Sequence, residues 1–342
     1  PTGASMSLSD PALDNNVGAN WCTSTTPFGA GDLGTPGSEN SCESPEVCGD
    51  PYTPIYEVQG SGFSSPYDNQ VVSVEGVVTG DFQEYGGLGG FTIQDPAGDG
   101  DAATSDGIYV YNYSNPVSVG QTVRVRGEVD EYYGLSQIKN VSLLLICEPA
   151  GSVVPTEVSL PVASQSDWEP FEGMLVNFSQ HLYISEYYNF DRYGELVLTT
   201  ARQFQPTAIF EPGSPERALL DQANQLSRIT LDDGRGSENP DPARHPNGLD
   251  FDLTNLFRGG DILENVTGIV DYAYGKYKIQ PTQGADYIVD NPRPDEPEDT
   301  GGNLKVASMN VLNYFSTLDE GSDVCGPLED QGCRGANTPE EF

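Results

Sequence analysis

The stretch Val125-Arg-Gly-Glu-Val-Asp-Glu-Tyr-Tyr-Gly134 occurs a second time as Val266-Thr-Gly-Ile-Val-Asp-Tyr-Ala-Tyr-Gly275. Val125, Gly127, Val129, Asp130, Gly134 and Ile138 recur at a constant offset as Val266, Gly268, Val270, Asp271, Gly275 and Ile279. Each copy follows a Gly-containing turn, Val119-Gly120 or Gly259-Gly260, and reads as two strands joined at a Tyr-Gly turn. A constant offset over so many positions marks one supersecondary unit used twice.

The first copy sits in a series of strand signals. Gln70–Thr79 is β-branched, Gly90–Gln94 and Gly107–Tyr111 are short apolar runs, and Leu135–Leu145 follows the repeat. Gln121–Asp130 alternates at period two, with Val123 and Val125 on one face and Arg124 and Arg126 on the other. In the second copy Glu172–Phe178 and Glu195–Thr200 supply the earlier strands. Pro215–Leu226 is a helix signal: Ser214 caps it, Pro215 opens it, and Leu219, Gln222 and Leu226 share a face. These elements predict a mostly β protein with two tandem OB-fold-like barrels, the helix between the third and fourth strands of the second. A β-sandwich is the competing architecture. The expected organisation is a β-domain remnant at 1–40, a linker at 41–51, barrels at 52–150 and 151–290, an acidic Pro-rich linker at 291–303, and a new domain opening at 304–342.

Composition limits the function classes. The 342 residues include 39 Gly and 26 Pro, which argues against a helical bundle. Thirteen Phe and 18 Tyr supply core area that a disordered chain lacks. No apolar run approaches the roughly 20 residues that cross a bilayer. Acidic residues outnumber basic ones by 52 to 15, for a net charge of −37. Such a surface repels nucleic acid as a whole, and solubility in salty surroundings is its simplest meaning.

Six cysteines (Cys22, Cys42, Cys48, Cys147, Cys325, Cys333) contain no Cys-x-x-Cys pair and accompany only two His, which argues against a structural zinc site. Their even number predicts disulfides and an oxidising compartment. Six cysteines allow 15 pairings that the sequence alone does not choose among; proximity suggests Cys22–Cys42 and Cys325–Cys333, and Cys48–Cys147 would then clasp the ends of the first β-rich segment.

Leu304–Leu312 reads as a strand buried on both faces, as in an α/β sheet. Without such a sheet it has to pair elsewhere or fray, because a strand cannot satisfy its own backbone. Thr338-Pro-Glu-Glu-Phe342 reads as a helix start. Together with a first residue that is not Met, this predicts a natural protein that continues at both ends.

The order of these segments resembles that of the large secreted nucleases of bacteria, which join a lamin-tail-like domain, OB-like domains and an endonuclease/exonuclease/phosphatase domain. The lamin-tail resemblance lies in Asp10–Asn16, Asn20–Cys22 and Gly34–Gly37. The OB resemblance lies in Val74–Asp81, Gly90–Asp95 and Asp101–Val110, and the catalytic-domain resemblance in Ala307–Phe315. It implies a secreted, Mg²⁺-dependent enzyme hydrolysing phosphodiester bonds of extracellular DNA. It also implies that Asn310 helps hold Mg²⁺ in the complete catalytic domain. The family's acidic ligand, positioning Asp and His residues lie beyond its first strand, so no catalytic residue is expected within this chain. Another phosphoesterase of the same superfamily, or a non-catalytic spacer or adhesion module, are the alternatives.

Two further groups are candidates from the residues themselves. Asp95, Asp99, Asp101 and Asp106 alternate with Gly in a loop that could wrap Ca²⁺, or form a solvated acidic turn; the loop from Asp232 to Asp241 is a weaker version. Tyr109, Tyr111, Tyr132, Tyr133, Tyr272, Tyr274 and Tyr277, with Arg124, Arg126, Lys276 and Lys278, could stack and hold single-stranded nucleic acid, or be barrel surface and core. The acidic charge predicts no strong DNA binding by this portion alone.

Overall fold

A computed structural model describes residues 3–29, 31–40, 46–296, 298–304, 306–310, 317–326, 328–333 and 335–340. The chain divides into a body spanning Pro1–Pro292 and a second unit spanning Arg293–Phe342. Residues 3–40 form two antiparallel ribbons: β1 (Met6–Leu8) with β2 (Trp21–Thr23), and β3 (Pro27–Phe28) with β4 (Asp32–Leu33).

The first barrel follows a short helix, α1 (Ile55–Gln59), whose Ile55 and Val58 join the barrel core. Its strands are β5 (Val71–Phe82), β6 (Gly90–Gln94), β7 (Gly107–Tyr111), β8 (Thr122–Tyr132) and β9 (Leu135–Cys147). They close in the order β5-β6-β7-β9-β8, with β8 returning to β5 and only β7 and β9 parallel. This is the five-stranded Greek-key order of an OB-fold. The period-two reading of β8 holds: Val123, Val125 and Val129 are buried against Val72, Val74, Phe91 and Ile108.

The second barrel-like domain is a nine-stranded sheet that follows the same order with strands one and four broken. The short β10 (Thr156–Glu157) borders it. Strand one is split into β11 (Leu175–Phe178) and β12 (Leu182–Glu186), which pair respectively with β16 (Val266–Ala273) and β15 (Ile262–Glu264). After the single-turn helix α2 (Phe190–Tyr193), β13 (Leu196–Thr199) pairs with β12. The helix α3 (Pro215–Leu226) precedes β14 (Arg228–Leu231), which lies parallel to β17 (Lys276–Pro281). Strand β18 (Asp286–Ile288) adds to β15. The core here is larger in its side chains, with Leu182, Ile184, Leu198, Leu263 and Ile279 around Trp168, itself carried on a 3-10 helix over Gln165–Phe171.

The repeated sequence is therefore the β8–β9 and β16–β17 hairpin, strands four and five of each barrel. Tyr133 and Gly134, like Tyr274 and Gly275, all take positive φ, the conformation of a two-residue type I′ turn. Gly127 and Gly268 recur for a steric reason. A Cβ on Gly127 would lie 2.5 Å from the Ile138 side chain, and one on Gly268 would lie 2.4 Å from the Gln280 carbonyl and 2.7 Å from Ile279. The repeated Gly and the repeated Ile are packing partners.

The helix expectation needs one correction. Helix α3 has the expected span and its Ser214 cap, which accepts from the Arg217 N–H at 3.2 Å. It lies between strands two and three of the barrel, not three and four, and none of its residues is buried. Of its apolar residues Leu219 is exposed and Leu220 and Leu226 are half-buried, so the amphipathic spacing located the helix but not what it would cover.

Cys48 and Cys147 form a disulfide that closes a separation of 99 residues around the first barrel. In the chain-entropy picture a loop of that length contributes about 4–5 kcal/mol. Cys22 is disulfide-bonded, and the expected partner Cys42 lies outside the described residues. Such bonds fit an oxidising environment. No helix among the described residues is long and apolar enough to cross a membrane.

In the second unit Cys325 and Cys333 are joined across the ribbon of β19 (Asp323–Cys325) and β20 (Gln331–Gly332). The strand expected at 304–312 does not form over 304 and 306–310. Those residues belong to no strand, and Leu304, Val306 and Met309 are exposed. Residues 305 and 311–312 lie outside the described residues. An apolar strand with no ladder to join leaves its backbone to water. The helix start expected at Thr338 is a turn over the described residues 338–340.

Candidate functional site: a tyrosine-lined cleft between the barrels

The two barrels meet along a polar seam. Gln59 Nε2 at the end of α1 donates to the Gly107 carbonyl (2.6 Å) and the Glu172 carbonyl (3.3 Å). Ser105 Oγ also donates to the Glu172 carbonyl at 2.6 Å, and the Leu175 N–H donates to Gln94 Oε1 at 2.9 Å. Gly107 and Gly173 touch through their backbones: a Cβ on Gly107 would lie 2.3 Å from the Gly173 carbonyl. The Glu172 side chain is 1% exposed, accepts from the Ser136 N–H at 2.9 Å, and has a second carboxyl oxygen with no partner. Burial, with Glu169, Glu131 and Asp271 nearby, raises its pKa well above the usual value. Glu169 in turn accepts from the Tyr277 hydroxyl.

Above this seam the repeated hairpins line one cleft of about 900 Å³, within the usual range for ligand sites. The first barrel contributes Tyr132 and Tyr133 from its hairpin, with Tyr109 and Tyr111 from β7; the second contributes Tyr272 and Tyr274. Gly134 lets the hairpins touch, since a Cβ there would lie 2.9 Å from the Tyr272 ring. Tyr272 is braced edge-on by Phe63 at 5.3 Å, and the Tyr109 hydroxyl is fixed on the Leu88 carbonyl at 2.9 Å. Tyr133 and Tyr274, equivalent in the repeat, are 82% and 92% exposed. The charged lining groups are Asp130, Asp271 and Lys139. Lys139 is bound to Asp130 at 2.7 Å, and Gln280 donates to Asp271 at 2.9 Å.

The cations proposed to touch nucleic acid are otherwise engaged. Arg124 is 1% exposed: it binds Glu46 and Glu75 at 2.8 Å each and the Asp50 and Pro51 carbonyls. Arg126 shares Glu46 at 2.6 Å. Burial works against the Glu46 carboxylate, but Ser73, Arg126 and Arg124 hold its pKa down at about 2. Lys278 is 4% exposed between Glu195 (2.5 Å) and Asp232 (3.1 Å), and Lys276 binds Glu195 at 2.8 Å. The alternation that put Arg124 opposite Val125 was right, yet that outer face is covered by the Glu46–Pro51 segment that Cys48 anchors. Of the five candidate contacts only Tyr132 lies in the cleft.

The Asp loop is held by bonds to its own backbone. Asp95, Asp99 and Asp101 each accept from a backbone N–H two residues on, at 2.9, 2.8 and 3.0 Å, which makes a series of Asx turns. No group of three or more acidic, His or Cys side chains among the described residues is arranged to hold a metal, at this loop or at exposed Asn310.

The loop from Asp232 is not a solvated turn at its start. Asp232 accepts from Lys278 and Gln280, and Asp233 is 2% exposed with its pKa raised to about 6 by burial and by Asp232. Both line a second cavity of about 290 Å³ with Arg244 and buried His245. His245 Nδ1 accepts from the Asn247 N–H, its ring packs among Phe251, Phe257 and Tyr287, and burial lowers its pKa. The sequence signal for this pocket was the Asp232-Asp233 pair opposite a lysine strand, read as loop acidity because its partner lies in a distant strand.

No curated protein matches the chain in sequence. A family model described as a domain of unknown function, DUF8508, matches residues 162–290, which span the second barrel from β11 to β18 and amount to less than half of the chain.

Proposed function

We propose that this chain is the non-catalytic, OB-fold-bearing portion of a secreted, metal-dependent nuclease that hydrolyses phosphodiester bonds of extracellular DNA. The observation that carries the reading is the OB order of the first barrel. The segments on which the family resemblance rests, Val74–Asp81, Gly90–Asp95 and Asp101–Val110, fall on β5, β6 and the connection into β7 of one closed barrel. Two disulfides with located partners support an extracellular location. The Mg²⁺ chemistry belongs to the complete catalytic domain, with Asn310 as this chain's contribution and carboxylates from outside it. The barrels carry that domain rather than hold DNA, because the four candidate contact cations, Arg124, Arg126, Lys276 and Lys278, are already paired with carboxylates.

The test is plasmid degradation by the complete gene product, with and without EDTA. DNA loss that EDTA abolishes is the expected result. An intact plasmid beside hydrolysis of another phosphoester assigns a related phosphoesterase instead. Activity on neither leaves the spacer role and overturns the nuclease reading.

A further inference from the structure

The cleft between the repeated hairpins is a built aromatic site that the nuclease reading does not use. Its exposed rings come from turns whose backbone is fixed by positive φ at Tyr133, Gly134, Tyr274 and Gly275. Tyr133 and the lining ring of Tyr272 are braced by neighbours: Tyr132 packs edge-on against Tyr133 at 4.9 Å, and Tyr277 packs against Tyr272 at 4.9 Å. Preorganised rings bind without the entropy loss of ordering flexible side chains.

Charge selects among flat-faced or ring-seeking ligands. Lys139 and Asp130 of the lining are paired with each other, so Asp271 is the carboxylate left without a cation among the lining groups. A polyanion also meets a chain of net charge −37. An acidic cleft with low-dielectric walls focuses field and gathers cations. Tyrosine faces attract the same ligands through the ring quadrupole. The molecule contains its own instance: Lys278 Nζ lies 5.2 Å from the centre of the Tyr274 ring.

We infer that the cleft binds a basic peptide segment, with arginine or lysine side chains laid on Tyr133, Tyr274 and the neighbouring rings and facing Asp271. The cleft volume accommodates a short peptide segment rather than a single ion. This inference stands apart from the nuclease reading, since it needs neither metal nor catalysis.

The test is calorimetric titration of the 342-residue chain with octa-arginine, beside octa-glutamate, a thymidine octanucleotide and a neutral cello-oligosaccharide. Saturable one-to-one binding of octa-arginine alone is expected. Tyr133→Leu and Tyr274→Leu should each raise the Kd about tenfold, and Tyr133→Phe and Tyr274→Phe should leave it nearly unchanged, because Phe keeps the ring face. Tyr188→Leu, an exposed tyrosine outside the cleft, should have no effect. Circular dichroism of each variant checks that the exposed turns still fold. Equal binding by the Leu variants would show diffuse attraction to an acidic surface and overturn the inference. So would tighter binding of the oligonucleotide or oligosaccharide, or no binding of octa-arginine.

Discussion

Arg124 shows how a residue's surroundings change its meaning. On a strand of alternating valines and arginines it reads as a surface cation. In the fold it is the buried centre of a network joining β5, β8 and the Glu46–Pro51 segment. Arg124→Met would leave Glu46 and Glu75 partly buried without their shared partner. The expected loss is about 3 kcal/mol of stability, measured by urea unfolding, against little change for Arg192→Met, whose pair with Glu238 is exposed. Glu172 gives a prediction of the opposite kind. A carboxyl with a folded pKa above the ordinary 4.5 takes up a proton on folding. Its contribution is present below pH 4.5 and is lost as pH rises through the folded value. Glu172→Gln keeps the acceptor for the Ser136 N–H and removes the charge. The variant should melt higher than the parent at pH 8 and at the same temperature at pH 4; identical melting at both would show that Glu172 carries no charge penalty at the seam. Glu46 works in the other direction, contributing above pH 4.5 and failing as pH falls toward 2.

At the scale of elements, the repeated hairpin was the most legible feature, because its residues answer to local rules. Period-two valines make the strands, Tyr-Gly makes the type I′ turn, and Gly faces Ile where strands four and five cross. Gly268→Val therefore forces a side chain into the Gln280 carbonyl and should cost at least 1–3 kcal/mol, as overpacked cores do. A variant as stable as the parent would mean that the crossing can open. What stayed illegible depended on distant partners. The helix α3 was found by its cap and spacing, but its place in strand order needed the split of strand one into β11 and β12, and three residues of sequence do not announce such a break. The covering of Arg124 needed the Cys48–Cys147 link to bring Glu46 onto β8. Lys278 needed Asp232 and Glu195 from other strands, so its burial was invisible where its neighbours Tyr277 and Ile279 were plain. The run at 304–312 has a strand's composition and no sheet to enter among the described residues.

At the scale of the whole molecule, acidity and architecture point the same way. Two OB-order barrels meet at a seam of carbonyls, glycines and a buried glutamate. Arg124, Arg126, Lys276 and Lys278 are spent on internal carboxylates, and exposed Tyr111, Tyr132, Tyr133 and Tyr274 line one cleft. Among the described residues no group of three or more His, Cys, Asp or Glu side chains is arranged to hold a metal ion. The measurement that tests this most directly is a supercoiled-plasmid assay run in Mg²⁺ with the 342-residue chain alone, beside the complete gene product. The expected result is an intact plasmid with the chain alone and EDTA-sensitive degradation with the complete product. EDTA-sensitive cleavage by residues 1–342 alone would contradict it and place an active site within these barrels.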